Sequence, residues 1–211
     1  MTIAPAPSNR RNVAVLAFAQ GLFQCIQSMS IATTPLAGYG LLGEDKSLAT
    51  VPIFLMHFAV MLTTWPASML MAKVGRRAGF SLGAVFGMVS GGVSFAAIQW
   101  QSFPLLCAGA FLAGMSGAFA WYYRFAATDS AEPAYRAKAI SLVMAGGVIA
   151  GFLGPQTAKW SVGIFPVMFA GVYMMVALYA LGMFLLVQFI RIPPLTKAEQ
   201  SEPGRPMREI I

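Results

Sequence analysis

Two pairs of soft metal donors stand one helical turn apart in this sequence, Cys25-x-x-x-Met29 and His57-x-x-x-Met61. Residues four apart share one face of a helix. Thiolate, thioether and imidazole together make a donor set that selects Cu(I) over hard cations. Polar side chains accompany both pairs: Gln20, Gln24 and Gln27 recur at helical spacing with Ser28 and Thr34 close to the same side, and Thr50, Thr64 and Ser68 flank His57 and Met61. At membrane depth such groups must face protein or a water-filled cavity, because lipid leaves them unsatisfied. The stripes therefore read either as the wall of a pathway or as hydrogen-bonding glue between helices. The four donors likewise read either as Cu(I) ligands or as packing, since a lone cysteine in an apolar segment and methionines in a chain holding 14 of them are ordinary core fillers.

The elements that carry these residues are six apolar stretches, approximately 12–38, 49–72, 78–100, 103–128, 137–158 and 164–190. Each has about the 20 residues that an α-helix needs to cross a bilayer. The expected fold is all-α: a polytopic membrane protein of six transmembrane helices over 12–191, with a short cytoplasmic segment at 1–11 and a Pro-rich tail or linker at 192–211. At 1.5 Å per residue, Met29 lies about 14 Å below the outer end of the first stretch and His57 about 12 Å below that of the second. The helices run antiparallel, so Cys25 falls near the depth of Met61, and the four donors are expected to converge near mid-membrane.

Charge sets the orientation. Arg10, Arg11, Lys73, Arg76, Arg77, Arg124, Arg136, Lys138, Arg191, Lys197, Arg205 and Arg208 fall on one set of connections, and only Lys46 and Lys159 on the other. This is a positive-inside pattern; it places both termini in the cytoplasm and the chain in a bacterial inner membrane. The net charge of +7 follows from that orientation, and no nucleic-acid partner is expected, because the cations flank apolar helices and form no stripe on a soluble surface. Arg10-Arg11 precedes an apolar run too long for a signal peptide, so the first stretch is read as a retained helix.

The usual residues of several chemistries are missing. There is no C-x-x-C, no haem-attachment sequence and no Walker loop, and no resident cofactor or enzymatic activity is expected. No acidic residue lies within an apolar stretch, which leaves His57 and Cys25 as the titratable groups at mid-membrane. Small residues recur at contact spacing in the third to fifth stretches: Gly83, Gly87 and Gly91; Ala110, Gly114 and Gly117; Gly147, Gly151 and Gly154. Such faces let helix backbones approach closely.

The turn from Ser68 to Arg77 resembles the loop between the second and third helices of the major facilitator superfamily, Gly-x-Leu-Ala-Asp-Arg-x-Gly-Arg-Arg. Leu70, Gly75, Arg76 and Arg77 match, Lys73 stands for the first arginine, and Ser68 and Ala72 replace the glycine and the aspartate. In the family that aspartate joins a charge network latching two halves, and here Asp129 or Glu132 stands as the acidic partner for Arg76 and Arg77. Gly147-x-x-x-Gly151-x-x-Gly154-Pro155 is similar to a glycine-proline signature of many exporters in the superfamily. Tyr123-Arg124-Phe125-Ala126-Ala127, Asp129 and Arg136 to Leu142 look like a bacterial branch that includes a copper importer for cytochrome oxidase assembly. That branch implies Met-x-x-x-Met and His-x-x-x-Met pairs on helices seven and eight, the pseudo-symmetric equivalents of helices one and two. The resemblance covers only the first six of the family's twelve helices, and Gly204 to Ile210 resembles its central linker.

Arg124 carries two readings. It either snorkels to the interface beside Trp121, Tyr122 and Tyr123, or faces a cavity or latch. Together these features lead to the expectation of a half-size major-facilitator-like secondary transporter for a small solute or metal ion, with Cu(I) as a candidate cargo, acting with a second copy or a second six-helix half. The rival is a non-transporting structural or assembly subunit of a larger membrane complex.

Overall fold

The computed structural model describes residues 9–190 and is helical throughout, with no strand among the described residues. Helix α1 runs Asn9–Leu41, α2 Val51–Val74, α3 Arg76–Gln99, α4 Phe103–Ala120, α5 Tyr123–Asp129, α6 Arg136–Ser161 and α7 Ala170–Val187, with a 3₁₀ turn at Pro133–Tyr135. Helices α4 and α5 form one span broken at Trp121 and Tyr122, so that six segments are long and apolar enough to cross a membrane. The tail from 192 and the linker-like Gly204 to Ile210 lie outside the described residues.

Boundaries moved where local chemistry overrides hydropathy. The last helix begins at Ala170 rather than 164: Gly163 and Pro166 fall in a run of turns and bends, and Phe169 adopts φ +69° immediately before the helix. The first helix starts at Asn9, which makes Arg10 and Arg11 helical.

Packing does not follow sequence order. Helix α1 packs chiefly on α6 and then on α7, α3 packs on α4 and α7, and α2 rests almost wholly on α4. The apolar membrane-length windows of α1, α3, the α4–α5 span and α7 are 44–50% buried, against 17% in α2 and 28% in α6. Helices α2 and α6 are therefore the two open edges. Of the two polar helices, α1 is covered largely by this chain and α2 is left exposed.

Small residues make the close approaches. A Cβ on Gly114 would run into the Met56 carbonyl of α2, one on Gly91 would meet the Ala177 backbone of α7, and one on Gly154 would lie 2.8 Å from the Cys25 carbonyl. Lipid offers apolar side chains no less than a protein interior does, so this dense backbone contact supplies the association energy. Gly151 faces nothing within 4 Å and has no such role.

One end of the bundle is tied by polar contacts. Arg76 pairs with Asp129 at 2.6 Å, Arg77 donates to Gln188 Oε1 at 3.1 Å, and Gln188 Nε2 donates to Ser81 at 2.9 Å. Arg11 reaches the Phe189 carbonyl at the same end. At the opposite end Lys46 caps α1 through the Leu42 and Tyr39 carbonyls, its ammonium 4.5 Å from the Tyr39 ring.

Gly114→Ala is expected to separate α2 from α4 and lower the thermal unfolding temperature in mild detergent by several degrees. Gly92→Ala, which meets nothing within 4 Å, should leave it unchanged or raise it slightly through helix propensity. Thermal scans of the two variants check this.

Candidate functional site

Helices α1 and α2 touch only lightly, while α4 lies against α2 and makes a smaller contact with α1. The α4–α5 span therefore bridges α1 and α2, and the groove between those two helices, backed by that span, is the candidate cleft. Two aromatic residues at the break in that span bind the walls. Trp121 meets Phe23 of α1 edge-on at 5.9 Å, and the Tyr122 hydroxyl donates to the Thr64 carbonyl of α2 at 3.1 Å.

Arg124 lies one turn beyond. Its guanidinium carbon sits 5.6 Å from the Trp121 ring and 5.0 Å from the Phe125 ring. The Nε is buried and has no hydrogen-bond partner. No carboxylate among the described residues balances the charge, since Arg76–Asp129 is the only ion pair they form. A buried donor left unmade costs about 1–3 kcal/mol. Among the described residues, Arg124 thus has only aromatic faces against its charge.

The glutamine stripe borders the same region in part. Gln20 is buried against Gly147 of α6, whereas Gln24 and Gln27 remain half-buried. The hydroxyls are less available than their spacing suggested: Thr64 Oγ1 donates to Val60 O at 2.6 Å and Ser28 Oγ to Gln24 O at 2.9 Å. A hydroxyl satisfied by its own helix offers a solute only its lone pairs.

The four soft donors occupy different surroundings. Cys25 Sγ lies 3.4 Å from the Ala150 carbonyl on α6, and Met29 is fully buried in the core. His57 is exposed, with Nδ1 2.9 Å from the Ile53 carbonyl, and Met61 is 68% exposed. One pair is thus buried and the other exposed. The Cys25 thiol faces the fifth span rather than the second, through Ala150 of α6. Among the described residues no group of three or more His, Cys, Asp and Glu side chains is placed to hold a metal ion.

In the loop motif, Gly75 closes α2 at φ +88°, a conformation that favours glycine. Exposed Lys73 sits in the last turn of α2, where a cation complements the helix dipole. Of the two proposed acids, Asp129 pairs with Arg76. Gln188 was not anticipated; its only signal was a single amide near the end of an apolar stretch.

A second hollow lies between Ser30, Thr34, Ser94, Leu106 and Tyr173, with about 10 Å³ for the centre of a water molecule. That is room for one water at most, so it is no solute site.

In a background with Cys25 and Cys107 replaced, Met61→Cys is expected to react with a maleimide at least about tenfold faster than Cys25 restored alone, because reaction follows thiol access. Labelling rates in detergent check this.

No known protein-family model matches the chain. Over 209 residues the chain is 35% identical to the riboflavin transporter RfnT of Brucella anthropi, a match covering 98% of this chain and 52% of that protein. The chain spans about half the length of the curated relative it matches.

Proposed function

We propose that the chain forms one six-helix half of a membrane transporter for a small solute, and that the solute is a planar heteroaromatic of the riboflavin class. The observation that carries this reading is the 35% identity to a riboflavin transporter across 98% of the chain. The cleft between α1 and α2 supports it, with half-buried amides on one wall and aromatic residues at its back. Division of the soft donors between a buried face and an exposed one favours an organic solute over Cu(I).

A pathway in the major-facilitator arrangement that the loop motif resembles forms between two six-helix halves related by an axis along the membrane normal. The open edges α2 and α6 are where a second half would sit, whether a second copy, a separate chain or sequence joined to this one. The end carrying Arg11, Arg76, Arg77 and Arg136 is assigned to the cytoplasm of a bacterial cell by the positive-inside rule.

Deleting the gene in a riboflavin-requiring strain of the native host should abolish growth on micromolar riboflavin and uptake of the labelled vitamin. Undiminished uptake would overturn the substrate class. Single cysteines in place of Trp65 on α2 and Phe152 on α6, both more than 70% exposed, should crosslink to the second half in native membranes. A cysteine in place of Leu178 on α7 should not.

A further inference from the structure

We infer that Arg124, held between Trp121 and Phe125, is a specificity-determining subsite for the flat ring system of the solute, an inference that rests on the transport of a riboflavin-class solute proposed above. The placement comes from three contacts. Trp121 packs edge-on against Phe23 of α1, Tyr122 reaches the Thr64 carbonyl of α2, and the Tyr122 and Phe125 rings lie 6.0 Å apart. The Arg124 guanidinium stands 5.6 Å from Trp121 and 5.0 Å from Phe125. It is therefore positioned where both cleft walls meet the back, and it is held there by ring faces rather than by an acid.

An arginine that only balanced charge would sit beside a carboxylate, as Arg76 does with Asp129. Arg124 has no such partner among the described residues, and its Nε is buried without an acceptor. The planar guanidinium thus carries an Nε–H donor for which the described residues supply no acceptor. An oxidised isoalloxazine carries matching acceptors along its edge, a carbonyl oxygen beside an unprotonated ring nitrogen. Arginine reads the same pairing bidentately on guanine through O6 and N7. The indole of Trp121 adds a π-face on which a heteroaromatic ring stacks, as bases do on aromatic platforms. Neither Cys25 nor His57 offers a comparable planar pairing.

Lysine separates this role from interfacial snorkelling. It keeps the charge and snorkels as well as arginine, but it has no planar fork. The substitutions are placed in the chromosomal gene, so that the chain keeps its natural partners, and initial rates of labelled riboflavin uptake are measured alongside the amount of protein in the membrane. Arg124→Lys is expected to raise the KM about tenfold or more with the protein level unchanged, since one lost bidentate contact is worth about that factor. Trp121→Phe, which keeps an aromatic ring against Phe23, should raise the KM by a smaller factor. Lumichrome has the tricyclic ring without the ribityl chain; it should compete with riboflavin in the wild type and compete at least several-fold less well in Arg124→Lys.

Gene-dependent uptake with an unaltered KM in both variants would overturn the subsite while leaving the transporter reading intact. Competition by inorganic phosphate or flavin mononucleotide but not by lumichrome would overturn ring recognition in favour of an anion site. Uptake that does not depend on the gene at all would remove the substrate reading and this inference with it.

Discussion

Helices in a bilayer gain little from the hydrophobic effect when they associate, since acyl chains are as apolar as leucine, and every backbone polar group must be satisfied within its own helix. What holds this bundle is the distance of closest approach. At Gly114 against Met56, Gly91 against Ala177 and Gly154 against Cys25, one helix backbone lies where another residue's Cβ would be. These seams fix α2 on α4, α3 on α7 and α1 on α6, and the remaining geometry follows from them. Interhelical side-chain hydrogen bonds are secondary, as with Ser90 to the Gly109 carbonyl at 2.8 Å or Tyr173 to Thr34 at 3.3 Å.

The same seams decide what is left open. Since α1 is committed to α6 and α2 to α4, the first two helices touch little and the α4–α5 span bridges them. The break at Trp121 and Tyr122 then turns two rings outward toward opposite walls, and the polar lining of α1 ends beside them. The cleft is thus a by-product of where small residues lie on four helices. The exposed apolar surfaces of α2 and α6 suit either lipid or a second bundle.

The six spans were legible in the sequence because length and hydropathy are one-dimensional properties, and so was the pairing of Arg76 with an acid at the end of the fourth span. The directions in which the soft donors face were not. Helical periodicity correctly placed Cys25 beside Met29 and His57 beside Met61 on their own helices, and depth was estimated along each axis. Rotation about the axis depends on which neighbour a helix has, and the preference of α1 for α6 is set by Gly146, Ala150 and Gly154, more than a hundred residues away in sequence. The start of the last helix was misjudged because hydropathy does not register the turns around Pro166. Arg124 was visible as a residue, but its aromatic setting required the break that follows Ala120.

The α1–α6 seam has a consequence for biogenesis. Cys25 and its partner Ala150 are 125 residues apart, so at about 5–20 residues per second a ribosome needs roughly 6–25 s to deliver the covering helix. During that interval the first span sits in the membrane with the face that carries Gln20 bare, although a polar side chain there is costly toward lipid. Helix α4 follows its partners α2 and α3 directly, whereas α1 must wait for α6 and α3 for α7. The order of insertion and the order of packing are therefore different sequences of events, and the first span carries the cost of a bare polar face until the fifth arrives.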